Sequence, residues 1–348
     1  MRSFVYFQPT EIRFGTGRLD ELGEVVARYG QRCLLVEVRP GSDAAARGLS
    51  AGDEILALDG VRPDRANLWT TVLLARLAGP PASVRLTVRG AGGDVREVEV
   101  EPEGLDERGA ASVRDYLGSL RRRTRSRASS RFATAGDVLV WKLSSFDKRG
   151  RAMHEGIAEA RRHRALVLDL RGNAGGDEEA LRRLAGALLH EDAPVTLARL
   201  RPRGEPRPIV ADRSKPAQRF PGQLVLLVDS ESASASEVLA RTIQLRRRGH
   251  VVGDRTAGAV GRSRIHVMAG GRGDSFVPYG VSVTEAAVEM PDGTVLEGAG
   301  VTPDEVALPT PDDLRAGRDP ALARAVMLAG GSLDPAAAGR LFPPPSAP

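Results

Sequence analysis

Apolar and polar positions alternate in two distinct ways in the second half of this chain. Short continuous apolar runs, typical of strands buried on both faces of a sheet, occupy residues 137–143, 165–170, 224–228 and 250–253. Helical spacing is found at residues 156–164 and from the serine-rich stretch to about residue 245. The repeated order of strand, loop and helix predicts an α/β core over residues 134–312, with active groups at the carboxyl ends of its strands.

Residues 33–103 show a different pattern, in which short strands are separated by glycine turns. A strand, a Gly/Pro turn, a short helix, a Gly-Asp turn and a second strand ending in Asp-Gly cover residues 38–60. A helix at residues 68–77 and strands at residues 84–88 and 95–100 follow. We therefore expect a small α+β domain before the α/β core.

The first segment, residues 1–36, predicts a strand, a turn, an amphipathic helix at residues 19–29 and an apolar strand. Its opening ten residues contain no apolar stretch long enough for a signal peptide. No window of the chain approaches the length of a transmembrane span. As written, the chain is expected to be soluble and to begin in the cytoplasm.

Composition narrows the possible partners. The hydrophobic content of 41% is ordinary for a globular protein, and the net charge of +5 is spread over many arginines. The one dense basic run lies at residues 121–127, within a polar stretch at 104–133. Because no aromatic side chains interleave with this run, we expect a solvated linker and no nucleic-acid site.

The numbers and spacing of cysteine and histidine argue against a disulfide bond and against a metal site. Cys33 is the single cysteine and lies in an apolar run, so it is expected to be a buried small side chain with no disulfide. The five histidines show no His-x-x-x-His spacing, and we expect no metal ion and no cofactor.

The stretch DSESASASEVLA at residues 229–240 joins a buried strand to a helix. Ser234 and Glu237 fit the Ser-x-x-Glu capping box, so one serine can simply cap the helix. A helix cap needs only one serine, however, so capping does not explain why serine occupies alternate positions in this stretch. In the other interpretation the turn exposes the Ser234 hydroxyl as a nucleophile, and the N–H group of Ala235 at the helix start faces the group under attack.

A glycine-rich turn offers a second set of N–H groups. The sequence RGNAGG at residues 171–176 follows a buried strand and precedes a helix that opens with Asp177. Alone this turn is a weak signal, since any anion would suit it. Together with the serine stretch, the N–H group of Gly175 or Gly176 is expected to complete an oxyanion hole with that of Ala235.

These two motifs resemble those of the carboxyl-terminal processing proteases, the tail-specific serine peptidases of the S41 type. That family carries a Leu-Arg-x-Asn-x-Gly-Gly loop and a Ser-Ala-Ser-Ala-Ser-Glu stretch whose middle serine, here Ser234, is the nucleophile. The ending LEGAGVTPD at residues 296–304 fits the same family, and so does a preceding PDZ domain. The resemblance covers roughly residues 35–340 and implies an endopeptidase that forms an acyl-enzyme on Ser234.

One position departs from the family pattern. The family follows the serine helix with Gly-x-x-Thr-x-Gly-Lys, whose lysine is the general base, whereas this chain has Ala259 at that place. A serine hydroxyl is a poor nucleophile without a neighbouring base. Lys142 and His266 are candidates to replace the lysine. Lys142 falls where tricorn-type relatives keep a histidine, although relatives that use the usual lysine also carry a basic residue there. His266 has a suitable intrinsic pKa, but its apolar neighbours predict a strand and a structural histidine. Glu297 falls where tricorn-type relatives keep a glutamate, and it can orient a base, polarise Ser234 or be only a turn carboxylate.

Two further resemblances concern the first part of the chain. Residues 38–60 resemble a bacterial PDZ domain, a fold that binds an extended peptide C-terminus at a sheet edge. The loop that takes the terminal carboxylate should precede this segment, but residues 1–36 occupy its place, which leaves two alternatives open: a domain that binds peptide C-termini and a PDZ-shaped packing domain. Those residues resemble the opening of iron-containing alcohol dehydrogenases, without that family's phosphate loop or metal ligands.

The expected organisation combines these segments. It consists of a dehydrogenase-like fragment at residues 1–36, a PDZ domain at 33–103, a basic linker at 104–133, an S41-type core at 134–312 and a C-terminal helix and Pro-rich tail at 313–348. The expected function is serine endopeptidase acting on protein or peptide substrates. The alternative is a catalytically inactive peptide-binding protein, because of Ala259. The resemblance also implies export to the periplasm or cell envelope, and the sequence leaves the oligomeric state open.

Overall fold

The computed structural model describes residues 33–34, 38, 41–63, 83–101, 130–146, 151–189, 196–201, 205–270 and 277–342. The described residues fall into two compact units. The larger unit contains those between 130 and 308 and those from 320 to 342, and the smaller unit contains those between 33 and 101 together with 309–319.

The strands are numbered in chain order. They are β1 Cys33–Leu34, β2 Glu54–Leu58, β3 Val84–Arg89, β4 Val95–Val100, β5 Arg131–Ala135, β6 Val138–Lys142, β7 Ala165–Asp169, β8 Thr196–Arg201, β9 Arg207–Val210, β10 Gln223–Val228, β11 His250–Gly253, β12 Arg262–Gly270, β13 Val277–Glu289 and β14 Glu305–Val306. The helices are α1 Asp43–Ala46, α2 Arg151–Ala160, α3 Glu178–Leu188, α4 Ala235–Leu245, α5 Pro311–Arg315, α6 Pro320–Leu328 and α7 Pro335–Leu341, and a 3₁₀ turn covers Pro216–Gln218.

The smaller unit is an antiparallel sheet in the order β1-β2-β3-β4. Its core consists of four buried side chains, Leu49, Leu86, Val88 and Val98. The two strands predicted at residues 84–88 and 95–100 are present as β3 and β4. The helix predicted at residues 68–77 lies outside the described residues, as do the elements predicted before residue 33.

The larger unit is built on a six-stranded sheet in the order β14-β11-β10-β7-β6-β5. Every neighbouring pair is parallel except β5 and β6, which form an antiparallel hairpin. The four central strands coincide closely with the four apolar runs in the sequence. The expected α/β core is therefore present, with helices on both faces of a mostly parallel sheet.

Alternate side chains of each central strand enter two different cores. Leu166 and Leu168 of β7 pack in the larger cluster, which also contains the apolar faces of α2, α3 and α4. Ala165 and Val167 of the same strand pack on the opposite face, against Leu322 and other residues of α6 and α7. Because both faces are covered, the strands are apolar throughout, which explains the continuous runs.

A second sheet in the larger unit was not predicted. It has the order β12-β13-β8-β9, is antiparallel throughout, and draws its strands from both sides of the serine helix in the sequence. Its strands contain many charged residues and one face of alternating apolar residues, which gives a weaker signal than the buried runs of the parallel sheet.

The helix predicted at residues 156–164 was placed too late in the sequence. It is α2, Arg151–Ala160, and Arg161–Arg164 turn back toward β7. The sequence suggested that the helix starts at Gly156, but this residue lies inside the helix. A side chain is not tolerated there, since a Cβ would come within 2.2 Å of the Trp141 ring. The glycine is needed for the close approach of α2 to β6.

No helix in the described part of the chain is long and apolar enough to cross a membrane. The basic run at residues 121–127 lies outside the described residues.

Candidate active site

Three loops of the larger unit leave the same edge of the central sheet. The glycine loop at residues 170–177 follows β7, the serine stretch follows β10, and residues 254–261 follow β11. These three strands are adjacent and parallel, so their carboxyl ends lie side by side. This is the edge at which α/β proteins place their functional groups.

The alternation of the serine stretch has a structural cause. The Ser232 hydroxyl donates to the Leu170 carbonyl at 2.9 Å, and the Ser236 hydroxyl donates to the Asn173 carbonyl at 2.9 Å. Both side chains are fully buried, and each attaches the serine stretch to the glycine loop. Ser234, between them, is partly exposed, so two serines are structural and one is available to a substrate.

Ser234 has an unusual backbone conformation. Its φ of +56° and ψ of −115° are rarely adopted by a residue with a side chain, and it is the N-cap of α4. Its N–H group donates to the Ala259 carbonyl at 2.9 Å and to Glu237 Oε2 at 3.0 Å. The surrounding loops therefore hold Ser234 in a strained turn, as is frequent at functional sites.

The glycine loop lies directly against Ser234. A Cβ placed on Gly175 would come within 2.7 Å of Ser234 Cβ and 3.0 Å of the Ala235 nitrogen. Only glycine fits there, both because of this approach and because Gly175 has a φ of +92°. The loop therefore packs its backbone against the start of α4.

The two expected oxyanion donors on the glycine loop differ in their partners. The Gly175 N–H group donates to Asn173 Oδ1 at 2.9 Å, so it is already engaged. Within the described residues, the N–H groups of Gly176 and Ala235 have no acceptor. Of the two glycines that the sequence left open, only Gly176 keeps an N–H group without an acceptor among the described residues.

Behind the glycine loop lies a buried carboxylate, Asp169, at the end of β7. It accepts hydrogen bonds from the Arg171 guanidinium at 2.9 and 3.0 Å and from Lys142 Nζ at 3.3 Å. Burial raises the pKa of the Asp169 carboxyl, but the charges of Arg171 and Lys142 more than offset this and hold that pKa below its ordinary value. Asp169 is therefore an ionised group that fixes the first residues of the loop.

Ala259, at the position where the family carries its lysine, makes a backbone contact with Ser234. Ala259 accepts the Ser234 N–H group through its carbonyl, and its own N–H group donates to Glu237 Oε2 at 2.9 Å. Its side chain is a methyl group and cannot take a proton. The capping-box motif predicts a contact of Glu237 with the start of its own helix, and it does not predict the contact of Glu237 with this distant loop.

The two candidate bases and Glu297 lie in different surroundings. Lys142 is bound to Asp169, and Glu297 Oε2 accepts the N–H groups of Val260 and Gly261 at 2.7 and 2.8 Å. His266 lies on β12 opposite Val281, and its side chain is outside what the structure describes. Among the described residues, no hydrogen bond joins the Ser234 hydroxyl to a titratable side chain.

The fold is an α/β core in which a glycine loop and a serine stretch meet at the carboxyl ends of parallel strands. Residues 137–307 match the sequence profile of Peptidase family S41, and this segment of the chain belongs to that family. The smaller unit and residues 1–36 lie outside this match.

Two curated relatives and one solved structure are similar to the chain. A carboxyl-terminal-processing protease of Picosynechococcus sp. is 31% identical over 278 residues, which is 77% of this chain and 58% of that protein. A tricorn protease homolog of Streptomyces coelicolor is 31% identical over 88% of this chain but only 25% of its own length. The structure of mature CPAF has a TM-score of 0.56 at 17% identity, covering 82% of this chain and 76% of that one, which shows a shared fold. The chain thus spans little more than half of the first curated relative and a quarter of the second.

Proposed function

We propose that the chain is a serine endopeptidase in which Ser234 is the nucleophile. The observation that carries this proposal is the position of Ser234, which projects from a strained turn at the N-terminus of α4 against the glycine loop. The N–H groups of Gly176 and Ala235 are the proposed oxyanion donors, because neither has an acceptor within the described residues. The family assignment and the similarity to carboxyl-terminal-processing proteases support a protein or peptide substrate.

The proposed reaction uses only groups of the chain and water. The Ser234 oxygen bonds to the peptide carbonyl carbon, the hydroxyl proton passes to the base, and the carbonyl oxygen becomes an oxyanion. The carbon–nitrogen bond then breaks, the proton moves to the leaving amine, and an ester on Ser234 remains. Water repeats the attack on this ester, returning the proton to Ser234 and releasing the acid.

Among the described residues we propose Lys142 as the base that the sequence left unidentified, with Glu297 as a group that orients the neighbouring loop. Lys142 ends β6, and the next residue, Leu143, accepts a hydrogen bond from Asn173 of the glycine loop at 2.8 Å, so Lys142 lies beside that loop. Its Nζ lies 3.3 Å from Asp169 Oδ2, so the proposed role requires the amine to be shared between this contact and the Ser234 hydroxyl. This role predicts that Lys142→Gln abolishes acylation whereas His266→Gln does not.

The experiment that tests the proposed function is proteolysis of an unfolded protein substrate. We expect cleavage into fragments by the wild-type chain and none by Ser234→Ala, which changes a single oxygen atom. Equal cleavage by the two proteins would contradict the proposal, because the activity would then belong to another group.

One observation favours a second candidate, a peptide-binding protein without catalysis. The position that carries the base in the family holds Ala259, and the Ser234 hydroxyl has no titratable hydrogen-bond partner among the described residues. In that case wild-type and Ser234→Ala proteins would both bind the unfolded substrate and leave it intact.

A further inference from the structure

Four consecutive N–H groups of the loop after β11 are bound by carboxylates. In residues 258–261, Glu237 accepts the first two at 2.8 and 2.9 Å. Glu297 accepts the last two at 2.7 and 2.8 Å. A turn whose successive amides converge on anions is held in one conformation, since opening it would leave buried charges without partners.

Glu237 is the more deeply buried of the two carboxylates and is fully inaccessible to solvent. Besides Gly258 and Ala259, it accepts the Thr256 hydroxyl at 2.6 Å and the Ser234 N–H group at 3.0 Å. Burial raises the pKa of the Glu237 carboxyl above its ordinary value, although all four hydrogen bonds favour the ionised form. Such a group is costly to bury, and its four contacts all lie within the two loops of the site.

The same loop also restrains the nucleophile. The Ser234 N–H group is shared between Glu237 and the Ala259 carbonyl, while the Ala259 N–H group returns to Glu237. Glu237 and Ala259 thus surround the backbone of a residue whose φ of +56° is unfavourable on its own. Glu297, by fixing residues 260 and 261, holds the next part of the loop.

We propose that Glu237 and Glu297 form a carboxylate clasp, defined as these two side chains with residues 256–261, that positions Ser234 for attack. This inference rests on the proposed function, since it deepens the account of the same site. Both glutamates are positioning residues that act through the backbone of Ser234 and do not themselves exchange protons with the substrate. The clasp also explains how this chain keeps the loop ordered with Ala259 at the position of the family lysine.

The test compares Glu237→Gln, Glu237→Ala and Glu297→Gln with Glu159→Gln, a surface control on α2. In Glu237→Gln an amide nitrogen, itself a donor, replaces one carboxylate oxygen and faces other donors. Glu237→Ala removes the acceptor of Thr256, Gly258 and Ala259 and leaves the Ser234 N–H group only the Ala259 carbonyl. We expect kcat to fall about tenfold or more in the first and further in the second, with KM changing less than about threefold. Glu297→Gln should lose less than Glu237→Gln, and Glu159→Gln should match the wild-type protein.

Hydrogen exchange provides a measurement that does not depend on activity. We expect amides of residues 256–261 to exchange about tenfold faster or more in Glu237→Ala, while strand β7 keeps its protection and shows that the fold persists. The less severe Glu237→Gln and Glu297→Gln serve the same comparison if the alanine variant does not fold.

The outcomes separate this inference from the proposed function. If the wild-type protein hydrolyses nothing, the proposed function fails, and exchange at residues 256–261 still decides whether the clasp exists. Unchanged hydrogen exchange in Glu237→Gln and Glu297→Gln would overturn the clasp. In an active enzyme, a raised KM with an unchanged kcat in these variants would also overturn it.

Discussion

At the scale of single residues, the serines of the serine stretch have different roles that depend on their position. Ser232 and Ser236 point into the protein and bind carbonyl groups of the glycine loop, whereas Ser234 is partly exposed. The strained conformation of Ser234 costs on the order of 1–3 kcal/mol, which the surrounding hydrogen bonds must offset. Stability and activity should therefore respond to different serines of the same stretch.

Ser236→Ala tests this division. Because the Asn173 carbonyl keeps its bond from Ala233 at 3.0 Å, we expect a loss of only about 1 kcal/mol in the free energy of unfolding. Ser234→Ala should change the free energy of unfolding by less than about 0.5 kcal/mol but abolish proteolysis. Denaturant unfolding and a proteolysis assay on both variants check this, and a reversed pattern would contradict the assignment of Ser234.

Asp169 allows a prediction about pH. Since its pKa is lowered in the folded protein, its stabilising contribution is present above the unfolded pKa of about 4 and is lost as the pH falls through the lower folded value. Asp169→Asn leaves Arg171 and Lys142 without their shared anion, and we expect it to lower the free energy of unfolding by about 3 kcal/mol or more at pH 7.

The difference between wild-type and Asp169→Asn proteins should shrink steadily as the pH is lowered below about 4. Thermal unfolding across this range provides the measurement. Asp137→Asn makes the same chemical change at an exposed position in the same unit and serves as the matched control. A difference that stays constant down to the lowest pH at which the protein folds would argue against an ionised Asp169.

At the scale of elements, the site consists of three loops at one edge of the sheet. The glycine loop approaches Ser234 so closely that a side chain on the loop would reach it. Gly175→Ala would bring a Cβ within 2.7 Å of Ser234 Cβ. We expect at least about a hundredfold loss of kcat/KM, because a displacement near the nucleophile is costly to catalysis. Kinetic assays on purified variants check this.

Gly136→Ala is the matched control for that variant. Gly136 also has a positive φ, +60°, but a Cβ there would meet no atom within 4 Å. Both substitutions therefore carry a similar backbone strain, and only one intrudes on Ser234. Equal activity of the two variants would show that the glycine loop does not contact the reacting group as proposed.

The elements also show what the sequence alone can predict. Buried strands such as β7 and β10 were found because an uninterrupted apolar run is a local signal. The start of helix α2 was predicted five residues too late, at Gly156. That glycine is there for its contact with Trp141 on another element, which the local pattern does not show. The clasp was missed for the same reason, since Glu237 and Glu297 bind a loop some 20 to 40 residues away in the sequence.

At the scale of the whole molecule, the chain combines two compact units with different architectures. We propose that the smaller unit, whose sequence resembles a PDZ domain, captures substrates by their C-terminus. A peptide substrate with a free C-terminal carboxylate should then show a lower KM than the same peptide with a C-terminal amide. Equal KM values for the two peptides would indicate that the smaller unit serves only as a packing domain.

The central claim is that Ser234 is an activated nucleophile, and covalent labelling tests it most directly. A fluorophosphonate probe should phosphonylate the folded chain, and peptide mass spectrometry should place the adduct on Ser234, with none in Ser234→Ala. The absence of an adduct on well-folded wild-type protein, or an adduct on another serine, would contradict the account.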